Sequence, residues 1–277
     1  MKICKGQINL ETFIITIIDK HKNMNKLFTL LIILLLIVSC NKRIEKNKIL
    51  FVTSNINEMK NEPNGTYLIE LAIPFNQFFK NGYEIDIVSP KGGKIPVYHS
   101  GDMSNLVKSI SSSEIFINKT ENSLKPTEIN TQKYIAVIIP GGYGQFWDTH
   151  TDEGILQIIA DIYDAGGVIG TIGHGTATLI NVKMKSGEYL VTNKTMTSFP
   201  SWNEKNIMKQ SDFGKLLPYD MEIELQKRGA NLKTYNHEKK SNYEIVDAKN
   251  KLVTASFSNS GDFVAKEVMK LINSKRL

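Results

Sequence analysis

The sequence predicts an α/β fold, a doubly wound and mostly parallel sheet that forms a single domain over residues 49–277. Three observations predict it. Short apolar runs of strand type alternate with longer segments whose apolar residues recur at helical spacing. Glycine-bearing loops follow several of the strands, where doubly wound sheets collect their ligands. The segment Asp262 to Ser274 closes the series as an amphipathic helix with Phe263, Val264, Val268, Leu271 and Ile272 inward.

The elements follow in order. Leu27 to Val38 is an unbroken run of twelve residues, apolar apart from Thr29. A spanning helix needs about 20 apolar residues and a secretory signal core about 7 to 15, so the length favours a signal peptide over residues 1–39. A core helix would show polar positions at helical spacing, which this run lacks. Lys26 flanks it, and Met24 is a better start than Met1. The run ends Ile37-Val38-Ser39-Cys40, which resembles a bacterial lipoprotein signal with Cys40 as the lipidated residue. Residues 40–48 are then the lipidated cysteine and a polar tether. The resemblance implies a protein anchored by lipid in a bacterial cell envelope, on the periplasmic or surface side.

Ile49 to Thr53 reads as a buried strand, Tyr67 to Asn81 as a helix stopped by Gly82, and Glu84 to Ser89 as a second strand, the order of a right-handed crossover. Residues 94–130 are rich in Ser, Asn, Lys and Thr and read as a surface excursion with a short helix around Met103 to Ile110. Alternation resumes with the strand Tyr134 to Ile139, the helix Asp152 to Ala165 closed by Gly166-Gly167, and the strand Val168 to Ile172, which runs into a Gly-His-Gly turn and a further helix. Thr195 to Phe199, Tyr243 to Asp247 and Leu252 to Phe257 are later strands.

Charge and cysteine usage narrow the function. The chain carries 34 Lys and Arg against 28 Asp and Glu, a net of +6; without residues 1–39 the net is +3. That excess is scattered, so no nucleic-acid footprint is implied. The only cysteines are Cys4 and Cys40, so the mature chain has neither an internal disulfide nor a free thiol. No metal or cofactor is expected.

Three loops carry the candidate chemistry. Pro140-Gly141-Gly142-Tyr143-Gly144 lets the backbone turn sharply and offer N–H groups to an anion, although alone it reads first as a plain structural turn. Thr171-Ile172-Gly173-His174-Gly175-Thr176-Ala177 is a sharp strand-to-helix turn of the kind that raises a nucleophile above a sheet. The third is Thr197-Ser198-Phe199-Pro200-Ser201-Trp202-Asn203-Glu204. Ile138-Ile139-Pro140-Gly141-Gly142, followed by the strand ending in His174-Gly175, resembles the ThiJ/PfpI superfamily, itself related to class I glutamine amidotransferases. Gly65 to Pro74 and Ser89-Pro90-Lys91-Gly92-Gly93 are similar to its larger branch, which contains glutathione-independent glyoxalases and chaperone-like stress proteins. The likeness covers roughly residues 48–272 and implies a flavodoxin-like fold.

In that branch the turn reads Cys-His-Gly. The resemblance therefore places Gly173 at the nucleophile position, His174 as the nucleophile's partner, Glu204 as the carboxylate that orients the histidine, and Glu70 as the buried glutamate beside the sulfur. Backbone N–H groups around Gly141, Gly142, Gly173 and His174 are the expected oxyanion or ligand donors. Glycine cannot form the hemithioacetal that a thiolate forms with an aldehyde. His174 also reads as a turn histidine and Glu70 as a charge at a helix start. Tyr143 stands where a histidine is common, and Thr254-Ala255-Ser256-Phe257 departs from the usual Gly-x-Asn-Pro.

The leading expectation is a lipid-anchored pseudoenzyme that binds a small carbonyl or other polar ligand or a protein partner, with a homodimer left open. The alternative is a cysteine-independent enzyme on small carbonyl compounds, glyoxalase III-like or hydro-lyase-like, using His174 and Glu70. A third reading, an amidotransferase, is disfavoured because it needs the same cysteine and usually a synthetase partner domain.

Overall fold

The computed structural model describes residues 48–59, 62–210, 217–235 and 243–274. The expected signal region, Cys40 and all of the expected tether but Lys48 lie outside them. Among the described residues no helix is long and apolar enough to cross a membrane.

Six strands form the central sheet: β1 (Lys48–Val52), β2 (Glu84–Val88), β3 (Tyr134–Ile139), β4 (Val168–Ile172), β5 (Glu244–Asp247) and β6 (Leu252–Ala255). Their spatial order is β5-β6-β4-β3-β1-β2. All pairs are parallel except β5 with β6. Strands buried on both faces read as continuous apolar runs, and β1 shows why. Its Ile49 and Phe51 enter one core cluster, and Leu50 and Val52 enter the other, on the opposite face.

Helix α1 (Leu68–Lys80) buries Leu68, Leu71, Ala72, Phe75 and Phe78. It ends where Gly82 N–H donates to Phe79 O and Tyr83 N–H to Phe78 O, the paired bonds of a Schellman stop. On the opposite face of the sheet, α4 (Glu153–Asp164) starts at Asp152, whose carboxylate accepts from Ile155 N at 2.9 Å, and buries Ile155, Ile158, Ile159 and Ile162. The closing helix, α7 (Gly261–Asn273), packs on α1 and β4 through Val264, Ala265, Val268 and Ile272, while Phe263 and Leu271 are only partly buried.

Three expectations change. Residues 94–130 hold two helices, α2 (Asn105–Ser111) and α3 (Glu114–Glu121), and they bury Val107, Ile110 and Phe116 in the core, so this segment is partly core and not all surface excursion. The expected strand Thr195 to Phe199 shrinks to Thr195–Met196, paired with Asn231–Leu232 outside the main sheet. The element after β4 is a 3-10 segment, Gly173–Asn181, tightly buried from Gly173 to Ile180. Two further helices, α5 (Ser201–Gln210) and α6 (Met221–Lys227), lie in sequence between β4 and β5.

Candidate functional site

The carboxyl ends of β3 and β4 are neighbours in the sheet, with Ile139 opposite Thr171, so the turns that follow them lie side by side. Helix α1 reaches the same edge because Tyr67 N–H, just before its first turn, donates to Gly141 O at 2.8 Å. That bond sets the first turn, and with it Glu70, over the paired turns.

Glu70 is 5% exposed, and its Oε2 accepts from Gly141 N at 2.7 Å. Burial pushes its carboxyl up to about 8, and the Gly141 N–H offsets only part of that. Glu70 is therefore mostly protonated at neutral pH. The Gly141 N–H, expected as a ligand donor, is already committed to this carboxyl.

The glycines at this edge answer to close approach. A Cβ on Gly141 would lie against Glu70 Oε2 and 2.8 Å from both His174 N and Ile172 O. Two of those three are backbone atoms that have no freedom to retreat. Gly173 is different: its φ is +52°, and a Cβ there would sit 3.0 and 3.1 Å from the two Glu70 carboxyl oxygens. Glycine takes that backbone conformation without the steric cost a side chain brings. The Glu70 carboxyl thus faces the position where a residue-173 side chain would begin.

His174 is buried, and its Nε2 lies 2.7 Å from Glu204 Oε2. Glu204 sits in the first turn of α5, and its Oε1 accepts from the Tyr143 hydroxyl at 3.2 Å. The imidazole is held between the Tyr143 ring at 4.5 Å and the Phe199 ring at 4.4 Å, with Phe146 at 5.4 Å. Tyr98 joins the group by accepting from Tyr143 N at 3.4 Å, and burial raises its phenol's pKa. A cleft of about 270 Å³ opens on the Glu204 side of the pair, with Phe146, Phe199, Ser201, Tyr219 and Met221 among its walls.

Glu70, Gly141, Gly142, Gly173, His174 and Glu204, all expected from the sequence, therefore meet at one sheet edge. The roles of Tyr98, Phe146 and Phe199, and the bond from Tyr143 to Glu204, were not foreseen. No local signal marks them, since each acts through a contact between distant segments. Among the described residues, no three His, Cys, Asp or Glu side chains gather as a metal site.

Chemically, the arrangement offers a protonated carboxyl, an imidazole held by a carboxylate, and a strand-to-helix elbow above a parallel sheet. This is the architecture of α/β proteins that place their site on such an elbow at the carboxyl edge. Residues 62–270 match the DJ-1/PfpI family, and the chain belongs to it. It is 26% identical over 168 residues to Glyoxalase 3 of Candida albicans, covering 57% of this chain and 70% of that one. It is 28% identical over 151 residues to the glutathione-independent glyoxalase HSP31 of Saccharomyces cerevisiae, covering 50% of this chain and 62% of that one. Among solved structures, it is similar to the Rapid Encystment Protein 24 KDa of Francisella tularensis, with a TM-score of 0.72 and 30% identity, covering 82% of this chain and 99% of that one. The chain is thus related to glutathione-independent glyoxalases.

Proposed function

We propose that this chain is a lipid-anchored pseudoenzyme of the bacterial cell envelope. In this reading Gly173 stands at the nucleophile position of the glyoxalase-like branch, and the site of Glu70, His174 and Glu204 binds a small carbonyl or other polar ligand, or a protein partner, without thiol chemistry. The observation that carries the reading is Gly173 itself, at φ +52° and facing the Glu70 carboxyl across the space where a side chain would start. The sequence supports it, because the only cysteines are Cys4 and Cys40. With no thiolate at the elbow, a hemithioacetal cannot form there.

The test is methylglyoxal consumption by the purified protein before and after iodoacetamide. The pseudoenzyme reading expects no thiol-dependent turnover in either sample; turnover that iodoacetamide abolishes would overturn it. The anchor has its own test. Fractionated cells should hold the wild type with the membranes, and Cys40→Ala should release it or stop its processing, because lipid chains contribute about 0.8 kcal/mol per buried CH₂. Wild-type protein found wholly in the cytosol contradicts the anchor.

One observation favours a second reading, a cysteine-independent enzyme on small carbonyl compounds. A carboxyl pushed up to about 8 can give a proton near neutral pH, and this reading uses His174, held by Glu204, as the base. In this reading turnover occurs and survives iodoacetamide.

A further inference from the structure

At the end of the sheet opposite the site, the chain enters the fold at Lys48, the first residue of β1. A second cleft, of about 230 Å³, opens there, with Lys48, Phe75, Phe79, Tyr83, Ile115 and Lys119 among its walls. Phe79 and Ile115 stand on its rim and are 50% and 37% exposed. The charges around it are paired: Lys48 bridges Glu84 at 3.1 Å and Asp86 at 3.0 Å, and Lys119 bridges Asp86 at 2.9 Å. Tyr134 also donates to Asp86, at 2.9 Å. Glu84 is the exposed acid of the group, and its charge is met by Lys48.

We infer that this face, with Phe79 and Ile115 as its apolar contacts, lies against the lipid surface. The inference rests on the reading of Cys40 as the lipidated residue. Cys40 and Lys48 are eight residues apart. Eight residues span at most about 29 Å fully extended, and about 15 to 17 Å as a relaxed coil. A domain of this size is about 45 Å across. A tether so short cannot carry the bilayer around to the far end of the sheet, which leaves the end that holds Lys48 and the flanks beside it. That end is also where two large apolar side chains are exposed beside neutralised charges, the composition that enters the headgroup boundary at low cost. As a consequence, the turns that hold Glu70, Gly173 and His174 open away from the bilayer, toward water.

The mature chain has no free thiol, so one introduced cysteine can be labelled alone. The acylated full chain is labelled with an environment-sensitive nitrobenzoxadiazole dye in Phe79→Cys and in Ile115→Cys, with Lys205→Cys, an exposed position on α5 beside the Glu204 cleft, as the control at the opposite end. Each is mixed with vesicles of phosphatidylethanolamine and phosphatidylglycerol. A several-fold rise in emission and loss of dithionite quenching at positions 79 and 115, but not at 205, is the expected result. Protein that floats with the vesicles while positions 79 and 115 stay fully quenchable overturns the orientation but leaves the anchor standing. Protein that does not float removes both. A rise at 79 or 115 that depends on protein concentration and needs no vesicles makes this face a self-association surface instead, and also overturns the inference.

Discussion

Replacing Glu70 with glutamine should stabilise the protein, and by an amount that depends on pH. The carboxyl is buried and accepts one hydrogen bond, from Gly141 N at 2.7 Å. Its folded pKa is raised from 4.5 to about 8. A group whose folded pKa is raised contributes stability that is fully present below its unfolded pKa and is lost as pH rises toward the folded one. Between those limits the loss is about 1.4 kcal/mol per pH unit. Glutamine has nearly the same shape, keeps an acceptor for Gly141 N, and never ionises. The Glu70→Gln variant should therefore exceed the wild type by about 1 kcal/mol at pH 5 and about 3 kcal/mol at pH 7. In a domain of this size, 3 kcal/mol corresponds to a rise of about 6 to 12 °C in Tm. Thermal or urea unfolding of both proteins from pH 5 to pH 8 measures the gap. A variant no more stable at pH 7, or a gap that stays constant with pH, would refute the buried, protonated carboxyl.

The remaining predictions concern the turns and the pair beside them. Gly141→Ala sets a methyl group against backbone at His174 N and Ile172 O, and should cost about 3 kcal/mol or more, read as a lowered urea midpoint. Glu204→Ala removes the carboxylate that holds His174 Nε2 at 2.7 Å, and should cost about 1 to 3 kcal/mol while broadening the His174 ring signals in NMR spectra.

Much of the fold could be read from the sequence because its strands are buried on both faces. The expected Tyr134 to Ile139 and Val168 to Ile172 coincide with β3 and β4. Helix α3 escaped because only Phe116 and Thr120 are buried along it, too few to make a periodic stripe among its polar neighbours. Thr195 to Phe199 misled for the opposite reason. Thr197 and Ser198 are fully buried, yet Thr197 N–H is spent on the Thr254 hydroxyl and not on a strand ladder. Within the site, Glu70, His174 and Glu204 could be placed through family resemblance, and their convergence depends on the α1 start that Tyr67 N–H fixes on Gly141 O. The Tyr143 hydroxyl on Glu204 spans 61 residues and leaves no local trace.

A side chain at position 173 carries the central claim, and Gly173→Cys tests it. Its Cβ would meet the Glu70 carboxyl at 3.0 Å, a contact that shifts of a few tenths of an ångström relieve, and the positive φ adds a strain of about 1 to 3 kcal/mol. The variant should fold, with its Tm lowered accordingly. The decisive measurement is methylglyoxal loss and lactate gain, by mass balance, for the wild type and Gly173→Cys side by side. No turnover by the wild type and iodoacetamide-sensitive turnover by the variant is the predicted result. Equal turnover by both, unaffected by iodoacetamide, would contradict the pseudoenzyme reading.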